Sequence, residues 1–145
     1  MEALLDFLTG NSDRAKELRS KFVFKVVPML NPDGVISGNY RCNLAGYDLN
    51  RNWAVPTKKC HPTIYWTKEM MREFGEERHI ALYIDIHNHS RKKNIFSYGC
   101  TGRDEKKREY VWPLLMKKHC PVYSYEDSMF VVTKNKECTA RVACW

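Results

Sequence analysis

The sequence predicts an α/β fold, a mixed and mostly parallel sheet flanked by helices. Three observations lead there. Two short runs, Phe-Val-Phe-Lys-Val-Val at 22–27 and Ile-Ala-Leu-Tyr-Ile-Asp-Ile at 80–86, are apolar, β-branched and aromatic, the signature of buried strands. Stretches of helical periodicity alternate with them at 1–20, 63–78 and 106–118. Polar clusters follow both runs, and open α/β sheets gather their sites beyond the carboxyl ends of strands.

The elements follow in order. Ala3, Leu4, Phe7 and Leu8 recur at helical spacing, Gly10-Asn11 stops that helix, and Ser12 or Asp13 can cap the next. After the 22–27 strand, Asn31-Pro32-Asp33-Gly34 predicts a turn, because proline sets φ and glycine accepts dihedrals that other residues avoid. The stretch 35–62 is long, polar and irregular, and its aromatic content marks it as functional rather than disordered. Ile64, Met70, Met71 and Phe74 form the apolar stripe of a helix over 63–78. A third strand is expected at 95–98 and a short one at 130–133. The helix between them runs from 106, or only from Glu109 onward, since Pro113 suits a first turn.

A chain of 145 residues suits one domain with a core of its own. No apolar run approaches the roughly 20 residues that cross a bilayer, and residues 1–8 are too short and too acidic for a signal peptide. Six cysteines, none in a C-x-x-C pair, read as reduced thiols. The net charge of +7 favours acidic partners without naming them: nucleic acid, an anionic membrane and an acidic peptide tail all qualify.

Two polar clusters hold the candidate chemistry, Asp48-Leu49-Asn50-Arg51-Asn52-Trp53 and Asp85-Ile86-His87-Asn88-His89-Ser90. Arg51 presents planar donors that match a carboxylate two at a time, and Asn50 adds a neutral donor. Asp48 can orient that pair or cap a turn. The alternative is a loop network in which Arg51 pairs with a carboxylate of its own protein. Arg41 lies ten residues earlier in the same loop; two arginines converging on one cleft would call for an anion. His87 is a candidate metal ligand at a strand end, against the alternative of a hydrogen-bonded histidine, since a catalytic zinc site needs about three protein ligands. Arg141, before an apolar strand-like stretch, has a surface position as its plain alternative. A carboxylate clamp beside a metal ligand is the minimum equipment for removing a residue from a peptide C-terminus.

The ordered set Pro28-Met29-Leu30-Asn31-Pro32-Asp33-Gly34, Gly38-Asn39-Tyr40-Arg41-Cys42 and Asp48-Leu49-Asn50-Arg51-Asn52 resembles the zinc metallocarboxypeptidases, in particular their cytosolic branch. Asp85-Ile86-His87-Asn88-His89-Ser90-Arg91-Lys92, Asn94-Ile95-Phe96 and Tyr98-Gly99-Cys100 strengthen the match, which runs through nearly the whole chain and is weakest over 101–125. The resemblance implies that His87 is the family's third zinc ligand and that Arg41 polarises the scissile carbonyl and steadies the oxyanion. It implies that Asn50 and Arg51 grip the substrate's terminal carboxylate, and that Arg141 lines the pocket for the leaving residue and favours glutamate or aspartate. Implied partners are acidic C-terminal tails of peptides or proteins, tubulin's among them, rather than nucleic acid or membrane. The implied setting is cytoplasmic, with microtubules or cilia as associated structures.

The chain also departs from that pattern. No His-x-x-Glu occurs in it, and that motif supplies the family's first two zinc ligands. The family's general-base glutamate lies beyond the segment matching Arg141 to Trp145, and Asn88 stands where the branch has glycine. The expectation is therefore that residues 1–145 are the central part of a catalytic domain, carrying one zinc ligand of three and inactive by themselves. The alternatives are a non-catalytic module that binds acidic tails and a truncated product that does not fold stably.

Overall fold

Ser12 and Asn31 set two of the helix starts. The Ser12 side chain accepts a hydrogen bond from Ala15 N, opening helix α2 (Asp13–Lys21) behind α1 (Glu2–Thr9). Arg19 of α2 donates to the carbonyls of Leu8 and Gly10, satisfying acceptors that the end of α1 leaves open. The computed structural model describes residues 1–102 and 107–144. The expected turn at Asn31-Pro32-Asp33-Gly34 begins a short helix, α3 (Pro32–Ser37), instead. Asn31 caps it through Gly34 N, Pro32 takes its first position, and Gly38 closes it at φ +73°. The residues that signal a turn are those that start a helix, so the local chemistry fits both.

Helix α4 (Pro62–Glu77) follows His61 and carries the 63–78 stripe, with Ile64 fully buried. Thr63 Oγ1 donates to Leu30 O at 2.6 Å, tying the start of α4 to the segment before α3. A 3-10 turn (Arg108–Tyr110) leads into α5 (Val111–His119), with Pro113 in its first turn; Lys106, where the earlier start was expected, lies outside the described residues. Arg141 sits in a one-turn helix, α6 (Ala140–Ala143), rather than before a strand.

The expected strands differ from the structure in pairing and in burial. The described residues contain no strand. Residues 22–27 and 80–86 make no ladder among the described residues, and their apolar side chains other than Tyr83 are exposed, Leu82 at 55% and Ile86 at 66%. The reason is the absence, among the described residues, of a partner strand for their backbone groups or a layer over their side chains. Residues 130–133 likewise form no strand. Pairing does occur at two isolated parallel bridges, Ile95 with Tyr123 and Tyr98 with Met129. There Ser124 N donates to Ile95 O, Met129 N to Ser97 O and Gly99 N to Met129 O.

The core is small and sits beside the long loop. Leu49, Trp53, Ile64 and Ala140 form it, with Leu30, Tyr83, Ala143 and Cys144 packed against it. Trp53 is 2% exposed, its backbone N–H donates to Cys138 O at 3.2 Å, and Lys68 Nζ donates to the carbonyls of Trp53 and Ala54, each at 2.8 Å. Four segments distant in sequence are thereby gathered around one indole. The cysteines Cys42, Cys60, Cys120, Cys138 and Cys144 are unpaired thiols, and the buried Cys100 thiol donates to Arg141 O at 3.4 Å. Among the described residues, no helix is long and apolar enough to cross a membrane.

Candidate active site

The loop 38–53 is built by its own polar residues. Asn43, largely buried, accepts from Ala45 N and Tyr47 N and donates to Cys60 O at 2.8 Å. Cys42 and Asp48 bridge in antiparallel fashion, with Gly46 at φ +80° making the reversal. Asn31 Nδ2 donates to the carbonyls of Arg41 and Cys42, so the cap of α3 also holds the backbone that carries Arg41. Gly34 is required there: a Cβ would lie 2.1 Å from Asn31 Nδ2 and 2.9 Å from Cys42 O.

Asp48 caps a turn and orients a cation. Its Oδ1 accepts from Asn50 N at 3.0 Å, capping the 3-10 turn (Leu49–Arg51), and its Oδ2 accepts from Arg41 Nε at 2.8 Å. That hydrogen bond holds the Arg41 guanidinium above its ordinary pKa, opposed by slight desolvation. The cation Asp48 orients is therefore Arg41, not Arg51. Arg51 donates from Nη1 to Asn50 O at 3.0 Å and has no ion pair among the described residues. The alternative of an internal carboxylate partner for Arg51 finds no support there.

Asn50 joins the pieces. Its Oδ1 accepts from Ala140 N at 3.2 Å, one residue before Arg141, and its Nδ2 lies 3.3 Å from His87 Nε2. His87 Nδ1 lies 3.2 Å from Asp85 Oδ1. With an Nδ1–H donated to Asp85, Nε2 is the acceptor that Asn50 requires, and both polar clusters close on one imidazole. Burial pushes the Asp85 carboxyl up from its ordinary pKa, and His87 pulls it back. Tyr83, two residues earlier, is also pushed up, by burial and then by Asp85. His89 does not join His87. Its Nδ1 accepts from Arg91 N and Lys92 N, and its ring stacks edge-on against Phe96 at 5.3 Å.

Arg141 is held differently from the other arginines. It donates from Nη1 to Gly99 O, and its guanidinium carbon lies 5.4 Å from the Tyr98 ring centre. It has no ion pair among the described residues. A cleft of about 470 Å³ opens on the far part of α6, lined by Ala54, Cys100, Val132 and Val142, and none of Arg41, Asn50, Arg51, His87 or Arg141 lines it. The candidate site is instead an open face carrying His87, 52% exposed at its side chain.

The model of the family described as zinc carboxypeptidase matches residues 1–137. The chain belongs to the zinc carboxypeptidase family. Cytosolic carboxypeptidase 3 of Bos taurus is 51% identical over 150 residues, covering 100% of this chain and 15% of its own length. Cytosolic carboxypeptidase 2 of Homo sapiens is 50% identical over 148 residues, covering 100% of this chain and 16% of its own length. A metallo-carboxypeptidase from Burkholderia cenocepacia has a similar fold, with a TM-score of 0.82 at 24% identity, covering 97% of this chain and 38% of that one. This zinc carboxypeptidase chain thus spans about one sixth of the curated relatives it matches.

Zinc is the metal of this family, and His87 is the candidate ligand this chain offers. No group of three or more His, Cys, Asp or Glu side chains that could hold a metal occurs among the described residues. The donors present among the described residues therefore do not make a zinc site among themselves. Sequence reasoning missed Asp85 as the partner of His87 and Tyr98-Gly99 as the seat of Arg141. Both lie inside quoted motifs, but no spacing rule links Tyr98 to a residue more than forty positions away.

Proposed function

We propose that this chain is the substrate-gripping, central part of a metallocarboxypeptidase catalytic domain that releases acidic residues, glutamate above all, from protein C-termini. The observation that carries the reading is Asn50. One side chain touches His87 and the start of α6, beside an Arg51 and an Arg141 that have no ion pair among the described residues. Arginines that lack an internal carboxylate are available to an external one.

In this reading Asn50 and Arg51 hold the terminal carboxylate of the substrate, a free C-terminus being the feature that separates it from internal sequence. Arg41, oriented by Asp48, donates to the carbonyl oxygen of the last peptide bond as negative charge develops there. Arg141 takes the acidic side chain of the leaving residue. His87, oriented by Asp85, would be one zinc ligand among others supplied from outside the described residues; zinc held that way would supply Lewis acidity and an activated water.

Residues 22–27, 80–86 and 95–98 are proposed as strands of a mixed, mostly parallel sheet, a reading supported by the likeness to a metallo-carboxypeptidase fold and by the two parallel bridges. The names of the relatives support a cytoplasmic setting. Acidic tails such as tubulin's, and with them microtubules or cilia, suit a basic chain of net charge +7.

The donor set favours a narrower statement about the chain by itself: it binds acidic tails and does not cut them. The test is fluorescence anisotropy with glutamate-rich peptides that differ only in a free or amidated C-terminus, run beside an assay for released glutamate with added zinc. Tighter binding of the free acid, lost in Arg51→Gln, with no glutamate released, is the expected result. Equal affinity for the two peptides would remove the carboxylate clamp, and release of glutamate would overturn the binding-only statement.

A further inference from the structure

We propose that Tyr98 is a positioning residue whose ring face fixes the guanidinium of Arg141. Its consequence for substrate choice rests on the reading of Arg141 given above. Among the described residues, two adjacent ones supply both contacts of that guanidinium, the ring of Tyr98 at 5.4 Å and the carbonyl of Gly99. Neither contact neutralises the charge. A ring face and a neutral carbonyl hold a cation in place while leaving its charge and its other N–H donors to a carboxylate from outside.

The seat is itself fixed. Gly99 N donates to Met129 O at 3.0 Å and Thr101 N to Phe130 O at 2.9 Å, on either side of the carbonyl that Arg141 uses. A Cβ on Gly99 would lie 2.6 Å from the Phe130 ring, so this strip of backbone packs flush against it. The Tyr98 ring meets Phe96 at 5.5 Å and His89 at 6.4 Å. Lys92 places a second cation 5.7 Å from the same ring, and its ammonium is anchored independently on Asp127 O at 2.5 Å and on the Asp127 carboxylate at 3.9 Å. The Tyr98 hydroxyl makes no hydrogen bond among the described residues. The face of the ring is therefore the working part, and phenylalanine should replace tyrosine without loss.

The test compares the full chain with Tyr98→Phe, Tyr98→Leu and Tyr98→Met, the last keeping volume without a ring face in case leucine disturbs folding. The deciding readout is the nitrogen-15 spectrum of the Arg141 Nη groups, which are resolved when the guanidinium is held and averaged when it rotates freely. The second readout is the affinity ratio for peptides ending in glutamate or in its neutral isostere glutamine. Resolved Nη signals are expected in the wild type and Tyr98→Phe and averaged ones in Tyr98→Leu and Tyr98→Met, with the glutamate preference falling about fivefold in the latter two. Resolved signals in both ring-less variants, or averaged ones in the wild type, would overturn the proposal whatever the peptides do. Loss of the resolved signals in a chain whose wild type shows no glutamate preference would leave Tyr98 its positioning role and sink the reading of Arg141 instead.

Discussion

Asn50 has its two amide ends committed to Ala140 N and His87 Nε2. Asn50→Ala leaves the buried Ala140 N–H without its acceptor, so the chain should lose about 1–3 kcal/mol of stability, read from urea midpoints, together with affinity for free C-termini. A variant with unchanged stability and binding would remove Asn50 from its joining role. Asp85 gives a pH prediction. Its folded pKa is raised above the ordinary 3.8, chiefly by burial, so the fold favours the protonated form. The stability tied to this group is full below the ordinary value and declines as pH rises through the raised one. Relative to wild type, Asp85→Asn should therefore grow more stable as pH climbs from about 4 toward neutrality. A stability difference flat across that range would show that Asp85 is solvated. These roles were partly legible in the sequence. Arg41, Asn50, Arg51 and His87 stood out as donors and ligands in ordered motifs. Asp85 and Tyr98 did not, because what they do depends on a tertiary neighbour rather than on spacing.

The longer helices were the legible elements, because their starts are written locally. Ser12 before α2 and Pro62 at the head of α4 act within one turn of their own position, whereas α3 was read as a turn because Asn31, Pro32 and Gly34 suit both. The apolar runs 22–27 and 80–86 were read as buried strands and are neither paired nor covered among the described residues, since pairing and burial depend on what lies across from them. Arg141 was read as preceding a strand and lies in α6, a one-turn helix whose first N–H is taken by Asn50, ninety residues away. Two predictions belong at this scale. Trp53→Ala removes the side chain around which the 3-10 turn, α4 and α6 meet, and should cost about 3–5 kcal/mol in chemical denaturation; a cost below about 1 kcal/mol would mean the core is not packed as described. Gly34→Ala drives a Cβ into Asn31 and the Cys42 carbonyl. It should destabilise by about 1–3 kcal/mol and weaken binding as the Arg41 backbone shifts. An alanine variant that melts and binds like the wild type would uncouple the cap of α3 from Arg41.

Across the whole molecule, basic charge, an open site and exposed apolar runs act together. The net charge of +7 acts at a distance and is screened by salt, whereas a bidentate arginine contact acts at hydrogen-bond range. Raising salt from about 0.05 to 0.5 M should therefore weaken all acidic peptides while preserving the preference for a free over an amidated C-terminus. Loss of that preference with salt would mean that charge alone selects the ligand. The family was readable from the order of motifs along the chain, which the match over residues 1–137 bears out, and the TM-score of 0.82 bears out a carboxypeptidase-like fold; the expected sheet is not formed among the described residues.

The most direct test of the central claim is to titrate the nitrogen-15-labelled chain with a glutamate-rich peptide bearing a free C-terminus and follow side-chain resonances. The account predicts that the Asn50 amide, the Arg51 and Arg141 guanidinium groups and the His87 ring shift together, with one affinity, and that the amidated peptide moves Asn50 and Arg51 far less. Shifts confined to other basic residues, or identical shifts with both peptides, would contradict it.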